Sequence, residues 1–460
     1  MLFRSLLLRP YEDRIDPSRD VGEQAALVMA LALSAQGRVV DAAAIASNLS
    51  SGEPRTTVAM EAMRWFARAT IEVQTGDPNG RVTAAKARET AAAQGADLWV
   101  KAASILCQAG EPENLSVTIE NLAESEAIVL TLACETIGTH WHLVSERAMP
   151  GLLREITARK ERWRPVLRKV IETRDDHGRL SAATILEGVG ERSDVARLRR
   201  VAREFRGYPG TRDLGRTLAR RLADPILVSD LGRVEVFIGD RTFDGSQVRR
   251  KVLALLCFLI SRTNMSATRE EVVEALWPDL EPSTALNSLN QTVYFLRRVF
   301  EPGFVEETSP GYIGQDGELI WLDQRLVTSH SQQVKSIIRS AGSNNDPVVA
   351  LELAHAYVGR FAIDFMYDDW AADYRDALHA SYLRVVEGAI HSEIDAGRSD
   401  RGIQIAQLVA EVEPDADEIQ LGLLRLLRLA GATAAAAEQY EHYARSQREL
   451  GAEPEPFDAI

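Results

Sequence analysis

Apolar residues in the first 230 positions recur every three to four residues, in short runs that end at glycine or proline, which is the spacing of amphipathic helices. Gln24–Ala35, Val40–Asn48, Met60–Thr75, Arg81–Gln94, Trp99–Ala109 and Leu115–Ala123 read as helices, with turns at Gly37, Gly76 and Gly110. Ser125–Val144 reads as one further apolar helix, and Pro150 and Gly151 break the pattern before a basic stretch from Arg154 to Arg174. Arg179–Leu186 and Val195–Phe205 form a helical pair across Gly188–Gly190, and Asp213–Leu227 reads as a helix interrupted late by Pro225.

The turn glycines of the first part are spaced by 39 and then 34 residues. A helix pair of about 34 residues that buries alanine between its helices is the tetratricopeptide pattern, because close helix approach needs small side chains. The pair at 179–205 is HEAT-like, or equally two helices of a bundle.

At Leu231 the period changes. Arg233–Ile238 alternates apolar and polar positions, and Arg241–Phe243 follows Gly239-Asp240 as the return strand of a hairpin. Three helices come next. Val248–Arg262 packs through Val252, Leu255, Leu256 and Leu259. Arg269–Leu276 starts at a capping box of Thr268 and Glu271 and stops at Trp277-Pro278. Thr284–Phe300 is capped by Ser283 and buries Leu286, Leu289, Val293, Leu296 and Phe300. That stripe leaves Asn287, Asn290, Gln291, Tyr294, Arg297 and Arg298 outside. Amides pair with adenine edges, and arginines with guanine or phosphate, so this is a face that a DNA major groove accepts. Glu306–Thr308, Tyr312–Ile313 and Leu319–Leu322, separated by turns, read as a small β-wing. From Ser331 the chain is helical again, with Gly359, Gly397 and Gly431 spaced by 38 and 34 residues as a second repeat array.

The formal charge of −14 argues against indiscriminate nucleic-acid affinity of the whole chain. Residues 331–460 hold 11 Lys+Arg against 22 Asp+Glu, residues 231–330 hold 10 against 14, and residues 1–230 hold 32 against 31, so the C-terminal third is the least suited to touch DNA. The donors for phosphate near the helices are Arg249, Arg250 and Lys251 together with Arg297 and Arg298. Cys107, Cys134 and Cys257 stand singly among apolar neighbours, as small buried hydrophobes do in a reducing compartment. The N-terminal MLFRSLLLRP has an arginine inside its apolar part and no small-residue cleavage site, so it does not read as a signal peptide. The longest apolar run, Leu253–Ile260, is too short to cross a bilayer. A cytoplasmic location with no membrane contact is expected.

Phosphate-loop, nucleophile-elbow, zinc-protease and dinucleotide motifs are missing, and no catalytic residue or cofactor is expected. His140 and His142 in THWH stand two apart, so on a helix they point about 200° from each other and do not make a metal pair.

REEVVEALWP at 269–278, ALNSLNQTVYFLRRVF at 285–300 and SPGYI at 309–313 resemble the response-regulator-type winged helix of the Streptomyces antibiotic regulatory protein family. YVGRF at 357–361, Trp370, Tyr374-Arg375, Tyr382, Gly397, Pro414, Gly431, Tyr440 and ELGAEP at 449–454 resemble that family's bacterial transcriptional activator domain. The resemblance covers roughly 232–456. It implies that the helix matching 285–300 enters the major groove and that the wing, with Tyr312, touches the backbone or minor groove. It also implies an activator bound to promoter DNA at direct repeats, with contact to RNA polymerase and a homodimer. Many members have an arginine in the position of Phe295, another near Asn290, and often one directly after the wing's Gly-Tyr, where this chain has Ile313.

The expected fold is mainly α, a winged helix-turn-helix domain between two tetratricopeptide-like helical regions. Its expected parts are repeats at 1–124, a bundle or HEAT-like repeats at 125–230, the winged helix at 231–328 and the activator domain at 329–460. Two alternatives stay open. One is an interaction scaffold with a degenerate winged helix, and the other is the C-terminal regulatory part of a larger signalling ATPase regulator.

Overall fold

The computed structural model describes residues 20–49, 58–108, 112–342, 345–449 and 451–460. The leading MLFRSLLLRP, Gly110 and Leu450 of the ELGAEP motif lie outside the described residues. The fold is mainly α, and the chain divides into two compact units, Met1–Leu222 and Ala223–Ile460.

In the first unit, Val58–Thr75, Gly80–Ala93 and Asp97–Cys107 pack in succession. Ala84, Ala87 and Ala91 are buried along one face of the middle helix, and Phe66 meets Trp99 at 5.1 Å between ring centres. Gly37 and Gly76 terminate their helices with φ of +84° and +77°, a conformation that costs glycine nothing. The single helix expected at 125–144 is instead broken into Ile128–Leu132, Cys134–Thr139 and a 3-10 turn at Trp141–Leu143. The bend at Ala133 lets Gly138 approach Val166 so closely that a Cβ there would stand 2.4 Å from a valine methyl. Trp163 is fully buried and donates its indole N–H to Thr131 Oγ1 at 3.0 Å. Asp176–Val189 and Val195–Glu204 form the expected pair, but the next helix is only Arg216–Arg221. Pro225 carries no N–H to continue a helix and biases the residue before it toward extended backbone.

The second unit opens with a strand that the periodicity did not reveal. β1 (Ile226–Ser229), β2 (Glu235–Ile238) and β3 (Arg241–Asp244) precede the helix Arg250–Ser261. β4 (Ser266–Thr268), the helices Arg269–Leu276 and Pro282–Phe300, and β5 (Ile313–Gln315), β6 (Leu319–Leu322) and β7 (Val327–Ser329) follow. One sheet runs β3-β2-β1-β7, antiparallel except for the parallel β1–β7 pair, and the other runs β4-β6-β5. The wing's third strand is therefore β4 rather than Glu306–Thr308, which lies in a turn region. Arg250–Ser261 is buried on every side from Val252 to Ser261, which explains its unbroken apolar run.

β7 leads directly into the helix His330–Ala341, whose N-terminus is capped by Ser329 Oγ accepting from Gln332 N. Pro347–Ala356, Asp369–Asp395, Asp400–Val412, Asp417–Leu429 and Thr433–Glu449 complete the helical array. The array and the winged helix share one apolar core, in which Phe258 meets Trp370 edge-on at 5.8 Å. Backbone bonds seal the junction: Gly232 N donates to Arg360 O at 2.8 Å and Ala362 N to Asp230 O at 2.7 Å. The Asp364 carboxylate accepts from Val234 N at 2.8 Å.

Candidate nucleic-acid interface

The helix Pro282–Phe300 begins at Pro282 with Glu281 as its cap residue, two residues earlier than the serine cap implied. Ala285, Leu289, Thr292, Val293, Leu296 and Phe300 are buried, and Leu286, expected inside, is 39% exposed. At about 100° per residue, Ala285 and Thr292 flank the Leu289–Leu296 line while Leu286 falls at its edge. Directly opposite, Asn287, Asn290, Gln291, Tyr294 and Arg298 are all exposed and form one stripe along the helix. Tyr294 is 49% exposed and stacks edge-on against Phe295 at 5.8 Å.

Neighbouring elements prepare this stripe. The capping box is closed, with Glu271 N donating to Thr268 Oγ1 at 3.1 Å and Thr268 N to Glu271 Oε2 at 2.7 Å. It fixes the start of Arg269–Leu276 and so the position of Arg269, which donates from Nη2 to Asn290 Oδ1 at 2.7 Å. A guanidinium only donates, so the amide oxygen must face it. The Asn290 NH2 group and the oxygen's second lone pair stay available, the pair that an adenine edge uses. Nothing periodic joins residues 21 apart, so Arg269 carries no signal in the sequence pattern. The guanidinium of Arg249 lies 4.1 Å above the Phe295 ring, beside the stripe. Phe295 thus serves as a platform for an arginine.

Other predicted residues are elsewhere. Tyr312 is 5% exposed, packs edge-on against Phe300 and donates its hydroxyl to Asp224 O at 2.7 Å, so it is a core residue and not a wing contact. Its ring fills the gap between β5 and the end of the helix Pro282–Phe300, where a groove contact would leave a hole. Arg250 is paired with Asp368 and lies over Phe365. Lys251 Nζ donates to Leu276 O, closing the C-terminus of the second helix. Arg297 is half-buried over Phe304, and burial pushes its guanidinium below the usual arginine range. Arg249 and Arg298 are the predicted cations that remain on the exposed face.

The wing tip is acidic. Asp316 Oδ1 accepts from Glu318 N at 2.9 Å and Leu319 N at 2.7 Å, and these N–H bonds hold its carboxyl below the usual range. Glu318 is exposed beside it. Two negative charges at this tip repel phosphate.

Residues 332–457 match the family model described as bacterial transcriptional activator domain. The regulatory protein AfsR of Streptomyces coelicolor is 26% identical over 227 residues, covering 47% of this chain and 22% of that protein. The domain match and this relative support the resemblance to the Streptomyces antibiotic regulatory protein family. Among solved structures, Mycobacterium tuberculosis EmbR in complex with a low-affinity phosphopeptide is similar at 16% identity and a TM-score of 0.38, covering 51% of this chain and 63% of that one. The chain spans about a fifth of the length of the curated relative. Among the described residues no helix is long and apolar enough to cross a membrane.

Proposed function

We propose that the chain is a cytoplasmic DNA-binding transcription regulator, of the activating kind, that reads promoter DNA with the helix Pro282–Phe300. The observation that carries this reading is the exposed stripe of Asn287, Asn290, Gln291, Tyr294 and Arg298 on a helix whose opposite face is wholly committed to the core. The activator domain packed behind it supports the activating role. In this reading Asn290 and its neighbouring amides make base-edge contacts, while Arg298 and Arg249 hold phosphates. Two copies bind side by side on direct repeats, the activator domain contacts RNA polymerase, and the first unit receives a signal or holds a partner.

Selection of bound duplexes from a random pool tests the reading. The full chain should enrich one motif, and an Asn290→Ala, Arg298→Ala variant should lose it. A pool that stays random for the unaltered protein at about 50 mM salt, where phosphate contacts are strong, sinks the proposal in favour of the scaffold alternative.

A further inference from the structure

Charge along the chain changes sign twice. Residues 154–222 carry 19 Lys+Arg and 10 Asp+Glu, a net of +9, against 13 and 19 in 1–153 and 21 and 38 in 223–460. The excess is concentrated in 195–221, which has nine arginines, no lysine and two acids.

Local packing gathers these arginines. Val195, Leu198, Val201 and Phe205 are buried on one side of the helix Val195–Glu204 and its end, so Arg199, Arg200 and Arg203 fall on the other. The loop that follows folds back: Thr211 Oγ1 donates to Phe205 O at 3.0 Å, and Tyr208, 58% exposed, sets its ring edge-on to Phe205 at 5.8 Å. Gly215, at φ +78°, then brings the chain against the helix so closely that a Cβ would stand 2.8 Å from Arg199 Cγ. Only glycine tolerates both that approach and that φ. The two acids are already engaged, Glu204 with Arg179 and Asp213 with Arg216 at 3.9 Å. Arg200, Arg203, Arg206 and Arg212 are exposed and meet no carboxylate among the described residues.

A cluster of exposed guanidinium groups repels itself and is expected to serve a polyanion. Arginine without lysine favours phosphate, whose oxygens match the planar fork, and an exposed tyrosine among the arginines suits a sugar-phosphate surface. The winged helix, by contrast, offers Arg249 and Arg298 on its face and an acidic wing tip. In the sequence, only Ala223-Asp224-Pro225 and Leu222 separate Arg221 from β1. We propose that the arginine surface of 195–221 binds the phosphate backbone of duplex DNA and supplies sequence-independent affinity beyond that of Arg249 and Arg298 in the winged helix. This rests on the reading of the chain as a DNA-binding regulator.

The test compares the full chain with Arg200→Gln, Arg203→Gln, Arg206→Gln, Arg212→Gln and with the matching four-lysine variant on a random-sequence duplex. All three are compared again with Asn290→Ala added, and circular dichroism verifies the fold. Four phosphate contacts correspond to a log–log salt slope of about 3.6, so between 50 and 200 mM salt the unaltered chain should lose about a hundredfold more affinity than the glutamine variant. The lysine variant should keep most of the slope, and Asn290→Ala should not alter the difference. An unchanged slope in the glutamine variant, with sequence-specific binding intact, overturns this proposal alone. Absence of any duplex binding by the unaltered chain at about 50 mM salt overturns both this proposal and the functional reading.

Discussion

Arg269 Nη2 holds Asn290 Oδ1 at 2.7 Å, joining the first turn of one helix to the middle of the next across 21 positions of sequence. The contact fixes which end of the amide faces outward, and an amide fixed before binding loses less rotational freedom on meeting a base. Arg269 is thus a positioning residue for the stripe, held in turn by the Thr268–Glu271 capping box.

Asn290→Ala should weaken binding to the selected motif by about 1–3 kcal/mol, the usual worth of a bidentate base contact, and leave random duplex unaffected. Arg269→Ala should lose part of that discrimination, and in the double variant the two losses should fail to add. Equilibrium titrations on matched and mismatched duplexes check this. Full additivity would mean that Arg269 does not act through Asn290.

Arg298 lies at the exposed end of the same stripe, among no base-reading amides, and is expected on phosphate. Arg298→Gln should weaken binding uniformly across sequences and lower the salt slope by about 1. A change in the preferred motif would place it on a base instead.

The helical face was legible because burial imposes a period: the stripe from Asn287 to Arg298 could be read from the spacing of Leu289, Val293, Leu296 and Phe300 alone. What escaped depends on partners distant in sequence. β1 pairs with β7 about a hundred residues later, so neither short strand carries a pattern of its own, and Leu227 passed as the end of a helix. β4 is three residues long and hidden by the capping signal of Thr268, so the wing's third strand was sought after the helix rather than before it. The DNA contact of Tyr312 rests on resemblance alone, and the packing of Phe300 against its ring assigns it to the core.

Asp230 gives the junction of winged helix and activator domain a pH dependence. Its fully buried carboxylate accepts from Ser331 N at 2.8 Å and Ser331 Oγ, and burial, only partly offset by these bonds, pushes its pKa up to about 6. A raised carboxyl pKa means that the folded state binds the proton more tightly than the unfolded chain does. Stability from this group is therefore full below about pH 4, falls as pH rises toward 6, and is flat above, with an upper bound of about 3 kcal/mol. Asp230→Asn keeps an acceptor for Ser331 N and removes the charge. Its unfolding free energy should lack the downward slope expected of the unaltered protein between about pH 4 and 6, and parallel slopes would contradict the assignment.

Arg375 is buried and ties down the segment that meets the connection between β1 and β2. Its guanidinium donates to Phe361 O at 2.8 Å, Phe365 O at 2.9 Å and Met366 O at 3.2 Å. Arg375→Met fills similar space but orphans these carbonyls, at a cost of about 3 kcal/mol or more. Urea unfolding followed by tryptophan fluorescence, with Trp370 nearby in the sequence, should show the loss. A variant as stable as the unaltered protein would mean that water replaces the guanidinium without penalty.

The acidic wing tip makes a prediction of opposite sign. Asp316 is needed for its turn, since its carboxylate accepts two backbone N–H groups, whereas Glu318 serves that turn only through its backbone, its O accepting from Arg269 N at 2.8 Å, and its side chain is in solvent. If the wing lies against the DNA backbone while Pro282–Phe300 occupies the groove, Glu318 faces phosphate, and Glu318→Lys replaces a repulsion with an attraction. Affinity for any duplex should then rise and the salt slope steepen by about 1, with the selected motif unchanged. An unaltered slope would show that the wing stands clear of the duplex, leaving the helix Pro282–Phe300 and Arg249 as the winged helix's whole contribution.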